Sequence, residues 1–133
     1  MTALLDTSVV VRYLTGDPPY QADRAAAVID GGEQLGLPVV ALVETGYVLS
    51  EVYQIARSEV VDALIRLLSR RNIIVPELPK EHAIEALLMC RPSKRVSFAD
   101  ALIWAAARTA VGTKVFTFDR RFPGEDIDLQ LLA

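Results

Sequence analysis

Four carboxylates stand where short apolar runs give way to expected turns or helix starts: Asp6, Glu44, Asp100 and Asp119. Asp6 closes the run Ala3-Leu4-Leu5, and Asp119 closes Val115-Phe116-Thr117-Phe118. Glu44 lies just past Pro38-Val39-Val40-Ala41, and Asp100 follows Ser97 at capping-box spacing. Four carboxylates gathered in one crevice cannot all stay ionised without a counter-charge. Hard oxygen donors of this kind suit Mg²⁺ or Mn²⁺. Such an ion lowers the pKa of bound water and neutralises charge on a phosphoryl group. The chemistry that fits is hydrolysis of a phosphodiester, with no nucleophilic side chain required.

Each acid also has a plainer reading. Asp6 can cap a helix, although Thr7 and Ser8 can do so as well. Glu44 can be a favourable first-turn charge, Asp100 a member of a capping box, and Asp119 the opening of the turn before Phe122-Pro123-Gly124. Glu51 is the rival acid on the helix of Glu44. It sits two turns on, about 10 Å away, and reads as surface. Arg91, Lys94 and Arg95 precede Asp100, while Arg120 and Arg121 follow Asp119. These five are the candidate phosphate contacts, because guanidinium forks match phosphate. His82 reads as a surface residue, Tyr47 and Tyr53 as packing residues, Trp104 as core or a dimer contact, and Cys90 as a small core residue.

The elements that must position the acids alternate. Residues 3–5 read as a first strand, and a short helix capped by Thr7 or Ser8 runs through residue 14. Gly16-Asp17-Pro18-Pro19 is a break, residues 20–29 a helix and Gly31-Gly32 its stop. A second strand is expected over 38–41, a helix over 42–55, and another over 58–70 capped by Ser58. Residues 72–75 form the third strand candidate and 80–89 a helix. Ala99, Leu102, Ile103, Ala106, Ala107 and Ala110 mark an amphipathic helix that ends near residue 111. Residues 115–118 and 127–131 are the fourth and fifth strand candidates. Alternation of this kind predicts an α/β fold, helices on both faces of a four- to five-stranded, mainly parallel sheet. Ligands of such sheets bind outside the carboxyl ends of the strands, where Asp6, Glu44 and Asp119 fall. Asp100 joins them if its helix starts at that edge.

The chain has 133 residues, 52% of them hydrophobic, and reads as one domain over residues 1–133. One cysteine and one histidine exclude an internal disulfide and a Cys/His zinc site. A lone thiol fits a reducing cytosol. The N-terminus does not read as a signal peptide, and no apolar run reaches the ~18 residues of a membrane span, so a cytoplasmic protein with no membrane partner is expected. The net charge of −3 counts against a constitutive nucleic-acid binder. It leaves room for an enzyme whose acids gather around a cation while basic residues elsewhere hold phosphates.

Taken in order, four motifs resemble those of the PIN domain and, within it, the VapC-type toxins of toxin–antitoxin pairs. They are Leu5-Asp6-Thr7-Ser8, Ala41-Leu42-Val43-Glu44-Thr45-Gly46-Tyr47-Val48-Leu49, Phe98-Ala99-Asp100-Ala101-Leu102-Ile103 and Thr117-Phe118-Asp119-Arg120-Arg121-Phe122. The resemblance implies a three-layer α/β/α PIN-like fold and an acidic pocket for Mg²⁺ or Mn²⁺. It also implies endonucleolytic cleavage of RNA (tRNA, rRNA or mRNA), a homodimer, and a small antitoxin of VapB type that blocks the pocket. By residue match, Asp6, Glu44, Asp100 and Asp119 would hold the metal, with Thr7 and Thr117 as supporting hydroxyls. Two rival readings remain. A haloacid-dehalogenase-like phosphatase also places an Asp after its first strand, but expects a second Asp where Ser8 stands. A non-catalytic α/β binding module would need none of the four acids.

Overall fold

The computed structural model describes residues 3–132. Strands β1 (Ala3–Leu4), β2 (Leu35–Gly36) and β3 (Ile73–Ile74) pair in parallel in the order β1-β2-β3, with Ala3 opposite Leu35 and Leu35 opposite Ile73. Strands β4 (Lys114–Thr117) and β5 (Asp128–Leu131) form a second parallel pair, Thr117 opposite Leu131. Every pairing is parallel and helices alternate with the strands, as the sequence pattern implies. Among the described residues the ladders divide into sheets of three and two strands, where a continuous sheet of four or five was expected.

The second strand also falls earlier than expected. Leu35 and Gly36 take the ladder, while Pro38, which has no N–H to give, becomes the N-cap of α3 (Val39–Tyr47). Val39 and Val40 favour a strand, but the helix buries Ala41, Leu42, Thr45 and Gly46, and that packing overrides local preference. Pro38 offers no side-chain cap. The carboxylate of Glu77 accepts from the Val39 amide instead, at 3.1 Å. One consequence is that Glu44 sits in the second turn of α3, beyond the expected first.

The other helices follow from their ends. Asp6 caps α1 (Thr7–Thr15) in place of Thr7 or Ser8, and Gly16 closes it at φ 71° with its N–H on the Arg12 carbonyl. Pro19 opens α2 (Pro19–Ile29) at the position where a missing N–H costs nothing. After α3 the chain widens into a π-helical turn (Val48–Val52), cutting short the helix expected through residue 55. Helix α4 (Arg57–Leu68) starts from Ala56 with no side-chain cap, so Ser58 does not serve as one. Helices α5 (Lys80–Cys90) and α6 (Phe98–Thr109) complete the set, and Ser97 caps α6.

Leu35, Leu37, Ile73, Val60, Leu64 and Leu87 are fully enclosed and join sheet to helices in one core. Cys90 belongs to it, and burial pushes its thiol up to about 11. Gly46 is the close-approach point between α3 and α6. A Cβ there would lie 2.7 Å from the Phe98 ring, so only glycine lets the two helices sit this close. The pairing of those helices matters because one carries Glu44 and the other Asp100.

Candidate active site

Asp6 follows the carboxyl end of β1, and its cap role fixes its side chain. Its Oδ2 accepts from the Ser8 amide at 3.0 Å and from the Ser8 hydroxyl at 2.5 Å. These bonds, Ser8's hydroxyl foremost, hold the carboxyl below the usual range, and the Arg12 guanidinium adds to the effect. The capping role is thus the one its bonds show. The neighbouring Thr7 hydroxyl donates to Glu44 Oε1 at 2.5 Å, tying the first turn of α1 to α3 across 37 residues.

Asp100 lies in the first turn of α6, its amide donating to the Ser97 hydroxyl at 3.0 Å. The capping geometry read from the spacing is present. Burial raises its pKa, and the charge of Asp119 raises it further, against a smaller lowering by Ser97. Asp119 stands just past β4. Its amide donates to the Thr117 hydroxyl at 2.9 Å, and its Oδ1 accepts from the Arg121 amide at 2.8 Å. These local bonds build the turn that the sequence allowed, and they aim the carboxylate. Thr7 and Thr117 therefore both contact the acids or their backbone.

The four acids come as two couples, Asp6 and Glu44 joined through Thr7, and Asp100 beside Asp119. Among the described residues, no three acid, His or Cys side chains converge into a ready-made cage. The donor chemistry still fits a divalent cation. All the groups are hard oxygens, and Asp100 carries the repulsion that a cation would relieve.

The basic candidates separate. Arg91 makes a two-pronged pair with Asp62 at 2.9 and 3.0 Å and is committed to α4. Glu51 is exposed, as expected, and there it meets Lys94 at 3.5 Å. Arg95 extends to the Arg121 carbonyl at 3.5 Å, linking the segments before Asp100 and after Asp119. Arg120 and Arg121 are exposed beside Asp119.

Several positioning residues escaped the sequence reading. Arg57 donates to the carbonyls of Cys90 and Val96 and stacks on Phe98 at 4.2 Å, fixing the segment that leads into α6. Trp104 is core, as expected, but its Nε1 also donates to the Glu125 carbonyl at 2.8 Å and pins the loop carrying Asp119. Tyr47, expected to pack inside, is 61% exposed. Tyr53 is also exposed, with its hydroxyl on Asp17. A glycine at 46 inside an apolar helical run was the one legible signal of close helix packing.

The sequence profile of the PIN domain matches residues 3–124. No curated protein and no solved structure gives a match.

Proposed function

We propose that this chain, which belongs to the PIN-domain family, is a Mg²⁺- or Mn²⁺-dependent endoribonuclease and the toxin of a toxin–antitoxin pair. PIN domains are generally metal-dependent nucleases, and those nucleases act on RNA. The observation that carries the reading is the bond from the Thr7 hydroxyl to Glu44, which brings the turn past β1, where Asp6 stands, against α3.

Asp6, Glu44, Asp100 and Asp119 would hold the ion. When bound, it supplies the positive charge and the water activation that phosphodiester hydrolysis needs. The Ser8 hydroxyl and amide keep Asp6 ionised, so it is ready as a ligand at neutral pH. Thr7 fixes the rotamer of Glu44, and Thr117 sets the backbone from which Asp119 projects. Arg95, Arg120 and Arg121 would supply positive charge for the RNA backbone around the Asp119 loop. Double engagement of Asp6 by Ser8 suits a charge-holding role better than nucleophilic attack, which speaks against the phosphatase reading.

The finer assignments rest on separate features. An apolar strip on α3 and α6, with Val40 72% and Ile103 48% exposed, supports a homodimer. The cleft between α1 and α2, bordered by Ser8 and Arg12, supports docking of a VapB-type antitoxin beside Asp6. No helix among the described residues is long and apolar enough to cross a membrane. The lone buried thiol of Cys90 supports a cytoplasmic setting.

Incubation of the purified protein with total RNA and Mg²⁺ or Mn²⁺ tests the enzyme. Cleavage is expected, with loss in EDTA and a drop of about 100-fold or more for Asp100→Asn. Cleavage that persists in either control removes the metal–carboxylate mechanism. Growth arrest on expression, relieved by an adjacent small gene, tests the toxin role.

A further inference from the structure

A second cavity of about 370 Å³ opens between α3, the π-helical turn and the first turn of α6. Its walls place unlike chemistries together. Tyr47 stands on the rim with its ring exposed, and it lies one turn past Glu44 on the same helix face. Val43 and Phe98 form an apolar side against which Arg57 stacks, and Lys94 and Glu51 stand in the wall as an ion pair. Ser50 lines the cavity at 6% exposure, and its hydroxyl has no hydrogen-bond partner.

Each feature is hard to explain by folding alone. A π-helical turn gives up regular α-helical bonding, and such turns gather at functional sites. This one sets Ser50 into the wall of the cavity. A buried hydroxyl without a partner costs free energy that a ligand's donor or acceptor would recover. An aromatic ring left in water beside an active-site acid offers a stacking face, and stacking tolerates any base. The first turn of α6 lends its positive dipole end to the same cavity. One ligand class matches all of these: a flat, polar-edged ring attached to a phosphate.

We infer that this cavity is a nucleobase subsite, in which the base next to the scissile phosphate of single-stranded RNA stacks on Tyr47, meets the Ser50 hydroxyl with its edge, and lays its phosphate toward the first turn of α6. The assignment rests on the ribonuclease reading and deepens it. The cavity opens between the two helices that carry Glu44 and Asp100. Val43 precedes and Tyr47 follows Glu44 on α3, and Ser97 and Ala99 precede Asp100 at the start of α6. Ser50 makes the contact that depends on which base is present, so it sets base preference; Tyr47 contributes affinity for any base.

The test uses the full-length protein, a labelled single-stranded oligoribonucleotide, and two readouts. Binding is followed by fluorescence anisotropy in EDTA, and cleavage sites are mapped with Mn²⁺ present. Tyr47→Ala is expected to weaken binding about tenfold and raise KM, while Tyr47→Phe retains both. Ser50→Ala is expected to change which bases flank the cuts, with little change in kcat. Leu88→Ala, which removes an exposed apolar side chain on α5 outside the cavity, serves as the control and is expected to match wild type. Circular dichroism establishes that each variant is folded. Asp100→Asn separates the two readings, since it abolishes cleavage but leaves binding intact. If wild type cuts RNA while Tyr47→Ala binds and cuts at the same sites with the same KM, the subsite is overturned and the ribonuclease stands. Wild type that neither binds nor cuts RNA overturns both.

Discussion

At Asp100 the fold holds a carboxyl where its charged form is least comfortable. Burial and then the charge of Asp119 raise its pKa, so the folded chain binds that proton more tightly than the unfolded chain does. The sign follows from linkage: this group's contribution to stability is full below the unfolded carboxylate value and is lost as pH rises through the raised folded value. Asp6 runs the other way. Its lowered pKa contributes stability above the unfolded value, and that is lost as pH falls through the folded one. Asp119→Asn is expected to move the Asp100 midpoint downward in metal-free protein, measured by carboxyl-carbon NMR titration; an unmoved midpoint would mean the two carboxylates do not interact. The same variant removes a repulsion and is expected to stabilise the metal-free protein by about 0.5 kcal/mol, discounted for screening. Cys90 offers a second residue-scale prediction. With its pKa raised to about 11 by burial, it is expected to resist alkylation at pH 8 in the folded protein and to react once urea unfolds the chain. Rapid labelling of the native protein would contradict the packing described around α5.

Two contacts between elements hold the acids in register. Gly46→Ala drives a methyl into the Phe98 ring, and a loss of about 1–3 kcal/mol is expected in urea denaturation. Because α6 must then move off α3, RNA cleavage is expected to fall even at temperatures where the variant is folded. Trp104→Phe keeps most of the buried ring but abandons the Glu125 carbonyl. It is expected to cost about 1 kcal/mol and to lower cleavage several-fold through the Asp119 loop. Cleavage at the wild-type rate would show that the loop needs no such anchor. The same element scale explains what the sequence could and could not reveal. Asp6, Asp100 and Asp119 were legible because each sits at an element end marked by local signals: an apolar run before it, a capping serine, a turn after it. The helix of Glu44 was misplaced because its signals are not local. Pro38 and two valines look like a strand, while the features that make them helical are Glu77, 38 residues away, and the buried face against α6. The exposure of Tyr47 was hidden for the same reason, since periodicity on a helix says nothing of which neighbours fail to cover it.

For the molecule as a whole, binding of a cation to the folded state alone raises stability by mass action. Millimolar Mn²⁺ or Mg²⁺ is expected to raise the melting temperature by a few degrees, about what 1 kcal/mol gives in a domain of this size. Asp100→Asn is expected to abolish the increase, and an equal increase in that variant would place the ion elsewhere. A last consequence comes from the second sheet. β4, which leads into Asp119, is hydrogen-bonded along its length only to β5 among the described residues, and Leu132 adds its amide to the Thr117 carbonyl at 2.7 Å. Residues 128–132 are thus the splint for the strand that leads into Asp119. A substitution that loosens this segment therefore acts on Asp119 as a remote mutation.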